Sequence, residues 1–198
     1  KEMHHTGGTE MREILFKAKL KDWKTNPQQN KWVEGYYLSR KETTYCFTED
    51  YERNPVKTLH YIAVDSMTDW GLPNEFRCYE IDPDTLCQYT EQNIEKDKIW
   101  ENNILEYDGE GFAKCIGVIK YGKYIQDGSG GEYSGRDCIG FYVEMIKLIP
   151  YEWEDETVEE ILEYFPHYYK KYSLAEILKQ KDVKKIGNAF DNTELLER

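Results

Sequence analysis

Residues 79–104 decide the fold, and they read YEIDPDTLCQYTEQNIEKDKIWENNI. The stretch predicts a strand end, a one-turn helix, a polar bridge and the start of another strand. Asp82 can cap the turn, Pro83 suits its first helical position, and Asp84 favours the positive start of a helix. Because so short a helix is not stable alone, we expect packing to hold it in place.

The end of this stretch is predicted to turn the chain into its second half. Tyr89 and Trp100 are expected to pack the helical turn down. Asparagine tolerates positive φ, so the pair Asn102-Asn103 indicates a tight turn. The stretch is therefore interpreted as a structural connector.

Strand patterns precede the connector. Residues 31–38 are predicted to form a hairpin with the first strand across a turn at Asn26-Pro27, and further strands are expected at residues 43–47, 59–64 and 76–81. The first strand alternates with period two. One of its faces holds Ile14, Phe16, Ala18 and Leu20, and the other holds Leu15, Lys17, Lys19 and Lys21.

Strand patterns also follow the connector, at residues 104–107, 112–121, 139–149 and 183–187. Gly117, inside the second of these, indicates a bulge or a bend. The glycine-rich residues 127–136 are predicted to be a mobile hairpin loop. A phosphate-binding loop is the weaker interpretation, because the Gly-Lys-Ser/Thr ending of the P-loop is missing.

An acidic segment with a helical sequence pattern lies between the last two predicted strands, at about residues 150–182. Capping boxes are expected for Thr157 with Glu160 and for Ser173 with Glu176, each ahead of an apolar helical pattern. Exposed aromatic residues with charged rims mark interfaces, so an interaction surface is predicted here. Its members are Trp153, Tyr164, Tyr168 and Tyr169. The alternative is that these aromatics dock the helices on the rest of the fold.

Composition and motifs restrict the function. Five scattered cysteines without a Cys-x-x-Cys pair resemble neither a disulfide framework nor a zinc site, and reduced, mostly buried thiols in a cytosol are expected. No nucleophile elbow is present and no apolar run is long enough to span a membrane. We therefore predict no catalytic residue, no cofactor and no metal ligand, and the protein is not expected to be an enzyme.

The net charge of the chain restricts the class of binding partner. The formal net charge is −12, from 38 acidic and 26 basic residues. Binding to phosphate backbones needs clustered Lys and Arg, so the net charge disfavours a general role on nucleic acids. It permits basic partners, including a DNA-binding protein that an acidic mimic would inhibit.

Five segments, spread over nearly the whole chain, match in the same order the sequence motifs of a known protein family. They are residues 11–16, Trp32-Val33-Glu34-Gly35-Tyr36, residues 79–85 with 88–90, residues 98–103, and residues 186–188 with 192–196. In these segments the chain resembles the YopX-like family of phage and prophage proteins. Two departures stand out, namely Asn102-Asn103 in place of a Gly-Asp pair and the helical insertion at about residues 150–182.

The resemblance implies a small β-rich phage protein with an SH3-like or related barrel in its second half, and no established reaction. Combined with the patterns above, it predicts a mainly β fold in which a meander joins a small barrel with two short inserted helices. Residues 1–10 are expected to be a cloning remnant or a disordered leader. Residues 11–198 are expected to form one domain with a β-rich half, 11–95, and a barrel-like half, 96–198.

The functional hypothesis is a non-catalytic accessory protein of a phage or prophage in the cytoplasm of its bacterial host. It would act by binding a host or phage macromolecule. The alternatives are a nucleic-acid-binding barrel, with Tyr and Trp as stacking platforms, and an acidic mimic that inhibits a DNA-binding protein.

Overall fold

A computed structural model describes residues 13–109, 111, 113–126, 135–152, 157–158, 160 and 171–197. The fold is mainly β, with antiparallel strand pairs throughout the described residues. The chain divides into two compact units, Lys1–Gln88 and Tyr89–Arg198, and the boundary lies inside a strand.

The first unit is built on a sheet of antiparallel strands. Their bounds are β1 Phe16–Lys19, β2 Trp32–Lys41, β3 Thr58–Ser66, β4 Glu75–Glu80 and β5 Cys87–Ile94, of which β5 continues into the second unit. The order in the sheet is β4-β3-β2-β1-β5. The core of this unit is formed by Ala18, Ile62 and Ile81, all at most 2% exposed.

Strand β2 changes partners at Gly35. This residue is paired with Phe16 of β1, and the next residue, Tyr36, is paired with Ala63 of β3. A Cβ atom on Gly35 would lie far inside van der Waals contact with the carbonyl oxygen of Ala63. Only glycine allows this close approach of the two strands.

The second unit has its own sheet, in the order β10-β9-β8-β7-β11. The bounds are β7 Asn103–Gly109, β8 Ala113–Gln126, β9 Arg136–Pro150, β10 Lys171–Ser173 and β11 Lys184–Asn188, while β6 Asp97–Trp100 is paired with β5. The main core cluster includes Leu105, Ile119, Val143, Leu174 and Ile177.

Helical structure is sparse in the part of the chain that the structure describes. The bounds of its α-helices there are Thr48–Arg53 for α1 and Leu174–Ile177 for α2, residues 158 and 160 are also helical, and 3-10 turns span Pro27–Gln29, Pro83–Thr85 and Thr193–Leu196. Of the residues that the structure describes, none belongs to a helix long and apolar enough to cross a membrane.

The connector turns as predicted at both of its ends. The Asp82 carboxylate accepts a hydrogen bond from the backbone N–H of Asp84, and Pro83 opens the 3-10 turn. Asn102 adopts a φ of 63° just before β7 begins. The ring centroids of Tyr89 and Trp100 lie 5.2 Å apart, so these two side chains pack on each other, whereas their predicted packing on the helical turn stays a prediction.

The predicted polar bridge of the connector is wrong, because its residues form the β5–β6 hairpin. Asn93 is paired with Lys98 and Ile94 with Asp97. Glu91 and Glu95 adopt φ values of 62° and 56°. Positive φ values are most common for glycine and asparagine. Because both positions hold glutamate instead, the sequence does not indicate the hairpin.

Of the other predictions about the strands, some are confirmed and one is wrong. The bulge at Gly117 is confirmed by a register shift between Ile116 and Gly117, and β8 and β9 are antiparallel on either side of the glycine-rich loop. Residues 43–47 were predicted to be a strand, but they precede helix α1 and belong to no strand. The acidic first turn and the final Arg53 of α1 suit the helix dipole.

The two predicted capping boxes have opposite outcomes. The Glu160 carboxylate accepts hydrogen bonds from the Thr157 backbone N–H at 2.7 Å and from its hydroxyl at 2.9 Å. Ser173 makes no capping hydrogen bond, because Glu176 is bound to Lys179 at 2.7 Å and Ser173 ends strand β10. Only the first box is formed.

The cysteines also differ from the expectation of mostly buried thiols. Of the five, only Cys87 and Cys115 are buried. Cys46 and Cys78 are exposed, the second because it lies on the edge strand β4.

Candidate protein-binding edge

The aromatic surface predicted from the sequence lies outside the described residues. This applies to all of its members, Trp153, Tyr164, Tyr168 and Tyr169, and also to residues 127–134 of the glycine-rich loop. The candidate site is therefore one that sequence reasoning missed. It lies in the first unit, beside the start of the connector.

A turn in the connector fixes the end of β1. The Lys19 backbone N–H donates to the Thr85 hydroxyl at 2.9 Å, and the Asp82 backbone N–H donates to the Lys19 carbonyl at 3.0 Å. The Thr85 hydroxyl in turn donates to the Asp82 carbonyl at 2.8 Å. Thr85 is 1% exposed, so this clamp is buried and well satisfied.

The same turn orients the loop between β1 and β2. The Trp23 indole N–H donates to the Asp82 carboxylate at 2.9 Å, and the Lys24 ammonium lies 3.5 Å from the same oxygen. Burial opposes ionisation of Asp82, but the hydrogen bonds from Trp23 and the Asp84 backbone, together with Lys24, lower its pKa below the usual value. An ionised Asp82 therefore holds the loop.

Lys19 lies under this loop, although its alternating pattern predicted a polar face. It is 1% exposed, and its ammonium lies 4.1 Å from the ring centroid of Trp23 and 5.4 Å from that of Trp32. The ammonium also donates to the Asn30 side-chain oxygen at 2.6 Å. Cation–π contacts and this hydrogen bond replace water around the buried charge.

A groove of about 780 Å³ runs between this loop and strands β3 and β4. Its lining includes the apolar side chains of Trp32, Val64 and Tyr79 together with the charged side chains of Lys31 and Glu80. The groove is thus amphipathic, and the clamped loop forms one of its sides.

Strand β4 borders the groove and lies at the edge of the sheet. One of its edges is paired with β3, and the other is paired with no strand that the structure describes. Every β4 residue except Glu80 is exposed, and Phe76 is 69% exposed. An edge with exposed backbone groups can pair with another strand.

The loop that leads into β4 is unusually apolar and exposed. Met67, Trp70 and Leu72 are 72%, 93% and 59% exposed. We term these three residues, together with Phe76 and Tyr79 on the two faces of β4, the β4 surface. Scattered exposed apolar residues are normal, but a group of this size along one hairpin is typical of an interaction site. Three large apolar residues within one polar loop were a signal available in the sequence.

The rim of the β4 surface is mostly acidic. Asp65, Asp69 and Glu75 lie along the hairpin, and Arg77 is the only basic residue between positions 65 and 80. The Arg77 guanidinium donates to Glu75 at 2.6 Å, and this hydrogen bond raises the pKa of Arg77. Such a rim repels phosphate backbones and suits a partner that carries Lys or Arg.

The described residues contain no group of three or more His, Cys, Asp or Glu side chains placed to hold a metal ion. His60 lies on β3, 2.7 Å from the hydroxyl of Tyr37, and its ring stacks on that of Tyr37.

No family model matches the chain, and neither a curated protein nor a solved structure is similar enough to count as a match.

Proposed function

We propose that the chain is a non-catalytic accessory protein of a phage or integrated prophage, and that it binds a protein partner in the host cytoplasm through the β4 surface. The resemblance of residues 79–90 and the other four segments to the YopX-like family supports the phage assignment. The same resemblance supports the finer fold proposal, an SH3-like or related barrel in the second unit.

One observation carries the binding proposal. Trp70 is 93% exposed beside an open strand edge that also exposes Phe76. Burying a large apolar side chain is favourable by about 1.5–3 kcal/mol of free energy relative to leaving it in water. Tryptophan is the residue type most enriched among the side chains that dominate binding energy. An incoming strand can pair with β4 and cover both residues.

The partner is inferred from the chemistry of this surface. It contributes an extended segment whose backbone pairs with β4 and whose apolar side chains cover Trp70 and Phe76. Lys or Arg residues in that segment face Asp65 and Asp69, because opposite charges at the rim favour association. The aromatic residues Trp153, Tyr164, Tyr168 and Tyr169 remain a second proposed contact region.

A nucleic-acid site other than the barrel expected from the sequence would draw on the hairpin of β1 and β2. This hairpin contains two tryptophans, Trp23 and Trp32, and five lysines, Lys17, Lys19, Lys21, Lys24 and Lys31. Lys21 is bound to Glu80 at 2.6 Å, Lys24 lies 3.5 Å from Asp82, and Lys19 is buried. Because these three charges are already engaged, the hairpin supports nucleic-acid binding less well than the β4 surface supports a protein.

The test is affinity capture from host cells followed by mass spectrometry, with Phe76→Glu as the variant. Phe47→Glu is the matched control, since Phe47 is 68% exposed in the same unit but lies outside the β4 surface. A protein captured by wild type and Phe47→Glu but lost with Phe76→Glu is the expected result. Nuclease-sensitive nucleic acid would support the first alternative instead. A basic DNA-binding protein that Phe76→Glu retains and that salt releases would support the acidic mimic.

A further inference from the structure

The ribbon formed by β8 and β9 extends beyond the rest of its sheet. Strand β7 is paired with β8 only as far as Val118, and β10 is paired with β9 from Tyr142 to Glu144. Six further pairs, from Tyr121–Phe141 to Gln126–Arg136, have no third strand beside them among the described residues. They extend the ribbon by about 20 Å. Two strands alone are marginal in water, so the faces of this ribbon need cover.

One face of the ribbon is covered by its own tyrosines. Gly122 lies opposite Gly140, which leaves a space on that face. The Tyr142 ring would contact a Cβ atom on Gly122 at 3.7 Å, and the Tyr124 ring would contact one on Gly140 at 3.9 Å. The rings of Tyr124 and Tyr142 are themselves 5.8 Å apart. Aromatic rings over paired glycines replace the missing packing.

The opposite face is apolar and exposed. Tyr121, Ile125 and Ile139 are 53%, 46% and 68% exposed, although they continue the side of the sheet on which Ile119 and Val143 are fully buried. The Tyr121 ring packs edge-on against Phe141 with centroids 5.1 Å apart. This stripe, which we term the ribbon face, consists of Tyr121, Lys123, Ile125, Asp137, Ile139 and Phe141.

The charges of the ribbon face identify its occupant. The face carries one cation, Lys123, and one anion, Asp137, on neighbouring strand pairs. It is therefore locally neutral on a chain whose net charge is −12. A two-fold axis through such a face can place Lys123 of each copy against Asp137 of the other. Local neutrality also lets two strongly acidic chains approach each other.

We propose that the ribbon face binds the ribbon face of a second copy of this chain. The two apolar stripes cover each other, with Ile139 and Ile125 at the centre and the Lys123–Asp137 pairs at the rim. The proposal is independent of the β4 surface, which lies in the other unit.

The test measures the mass of the full chain in solution over a range of concentrations, by sedimentation equilibrium. The variant is Ile139→Lys, and the control is Ile149→Lys, since Ile149 is also exposed on β9 but lies outside the ribbon face. Wild type and the control are expected to reach twice the 23.6 kDa of the chain as concentration rises. Ile139→Lys is expected to weaken the dimer about tenfold or more, because it places charge at the centre of the contact.

A charge exchange tests the geometry without removing apolar area. Lys123→Asp alone is expected to weaken the dimer, and Lys123→Asp with Asp137→Lys to restore it. A wild-type chain that stays monomeric at every concentration would overturn the proposal. So would a dimer that Ile139→Lys leaves intact, provided that circular dichroism shows the variant to be folded.

Discussion

The indole N–H of Trp23 donates to the carboxylate of Asp82 across a distance of 2.9 Å, and this hydrogen bond joins the β1–β2 loop to the connector. The Lys24 ammonium lies 3.5 Å from the same oxygen. Asp82 thereby does more than cap its own turn, because it also fixes the loop that forms one side of the groove beside β4.

Asp82→Asn is expected to lower the free energy of unfolding by about 1 kcal/mol at pH 7, because a neutral amide accepts hydrogen bonds more weakly than a carboxylate. The pKa of Asp82 is lowered in the folded state, so its stabilisation is complete above the pKa of an unfolded aspartate and is lost as the pH falls through the folded pKa. Urea unfolding at neutral and acidic pH measures the difference, which should shrink in acid. Asp84→Asn is the control, and an equal loss in both variants would contradict this role.

Gly117→Ala is expected to destabilise the second unit by about 1–3 kcal/mol, the usual range for overpacking a core. A Cβ atom there would lie 2.5 Å from a Val143 methyl and 2.9 Å from the Glu144 carbonyl oxygen. At Gly140 the nearest contact would be 3.9 Å away, so Gly140→Ala should change stability by about 0.5 kcal/mol or less. Chemical unfolding of both variants gives the comparison, and equal effects would rule out the bulge geometry at Gly117.

Tyr151 should ionise only in strongly alkaline solution. Its hydroxyl donates to the Asp108 carboxylate at 2.8 Å, which raises the pKa of Tyr151 to about 12. The raised pKa stabilises the fold below the pKa of an unfolded tyrosine, and this contribution is lost as the pH rises through 12. In an ultraviolet titration, Asp108→Asn should have one tyrosine fewer than wild type among those that ionise only at the highest pH. An unchanged titration would show that the hydrogen bond is not made in solution.

Trp70 should be the tryptophan that collisional quenchers reach most easily among those described. It is 93% exposed, whereas Trp100 is 4% exposed. Trp70→Phe is expected to remove the most readily quenched part of the fluorescence and to leave stability unchanged, because surface substitutions rarely exceed about 0.5 kcal/mol. Acrylamide titration of wild type, Trp70→Phe and Trp100→Phe makes the test. Equal quenching of wild type and Trp70→Phe would mean that the hairpin loop is covered.

The local chemistry of the connector could be predicted from the sequence. Asp82 acts through its side-chain cap, Pro83 through its fixed φ and Asn102 through its tolerance of positive φ, and these local properties do not depend on the rest of the fold. The β5–β6 hairpin could not be predicted, since Glu91 and Glu95 hold positive φ without the glycine that normally indicates it. Tertiary context outweighed local preference there.

The candidate site depended on tertiary relationships. Lys19 is buried only because the β1–β2 loop folds back over it with Trp23 and Trp32, and strand alternation contains no information about that loop. Whether Phe76 is buried depends on the position of β4 in the sheet, and its place at the edge follows from topology. The apolar residues Met67, Trp70 and Leu72 were visible in the sequence, but their exposure was not.

The most direct test of the proposed function is hydrogen–deuterium exchange of the full chain with and without the captured partner. The β4 surface predicts slower exchange in the complex for those amides of residues 75–80 that face away from β3, because an added strand would bond the open edge of β4. Phe47→Glu should show the same protection, whereas Phe76→Glu should neither bind nor gain it. Unchanged exchange at residues 75–80 in a saturated complex would contradict binding through this edge.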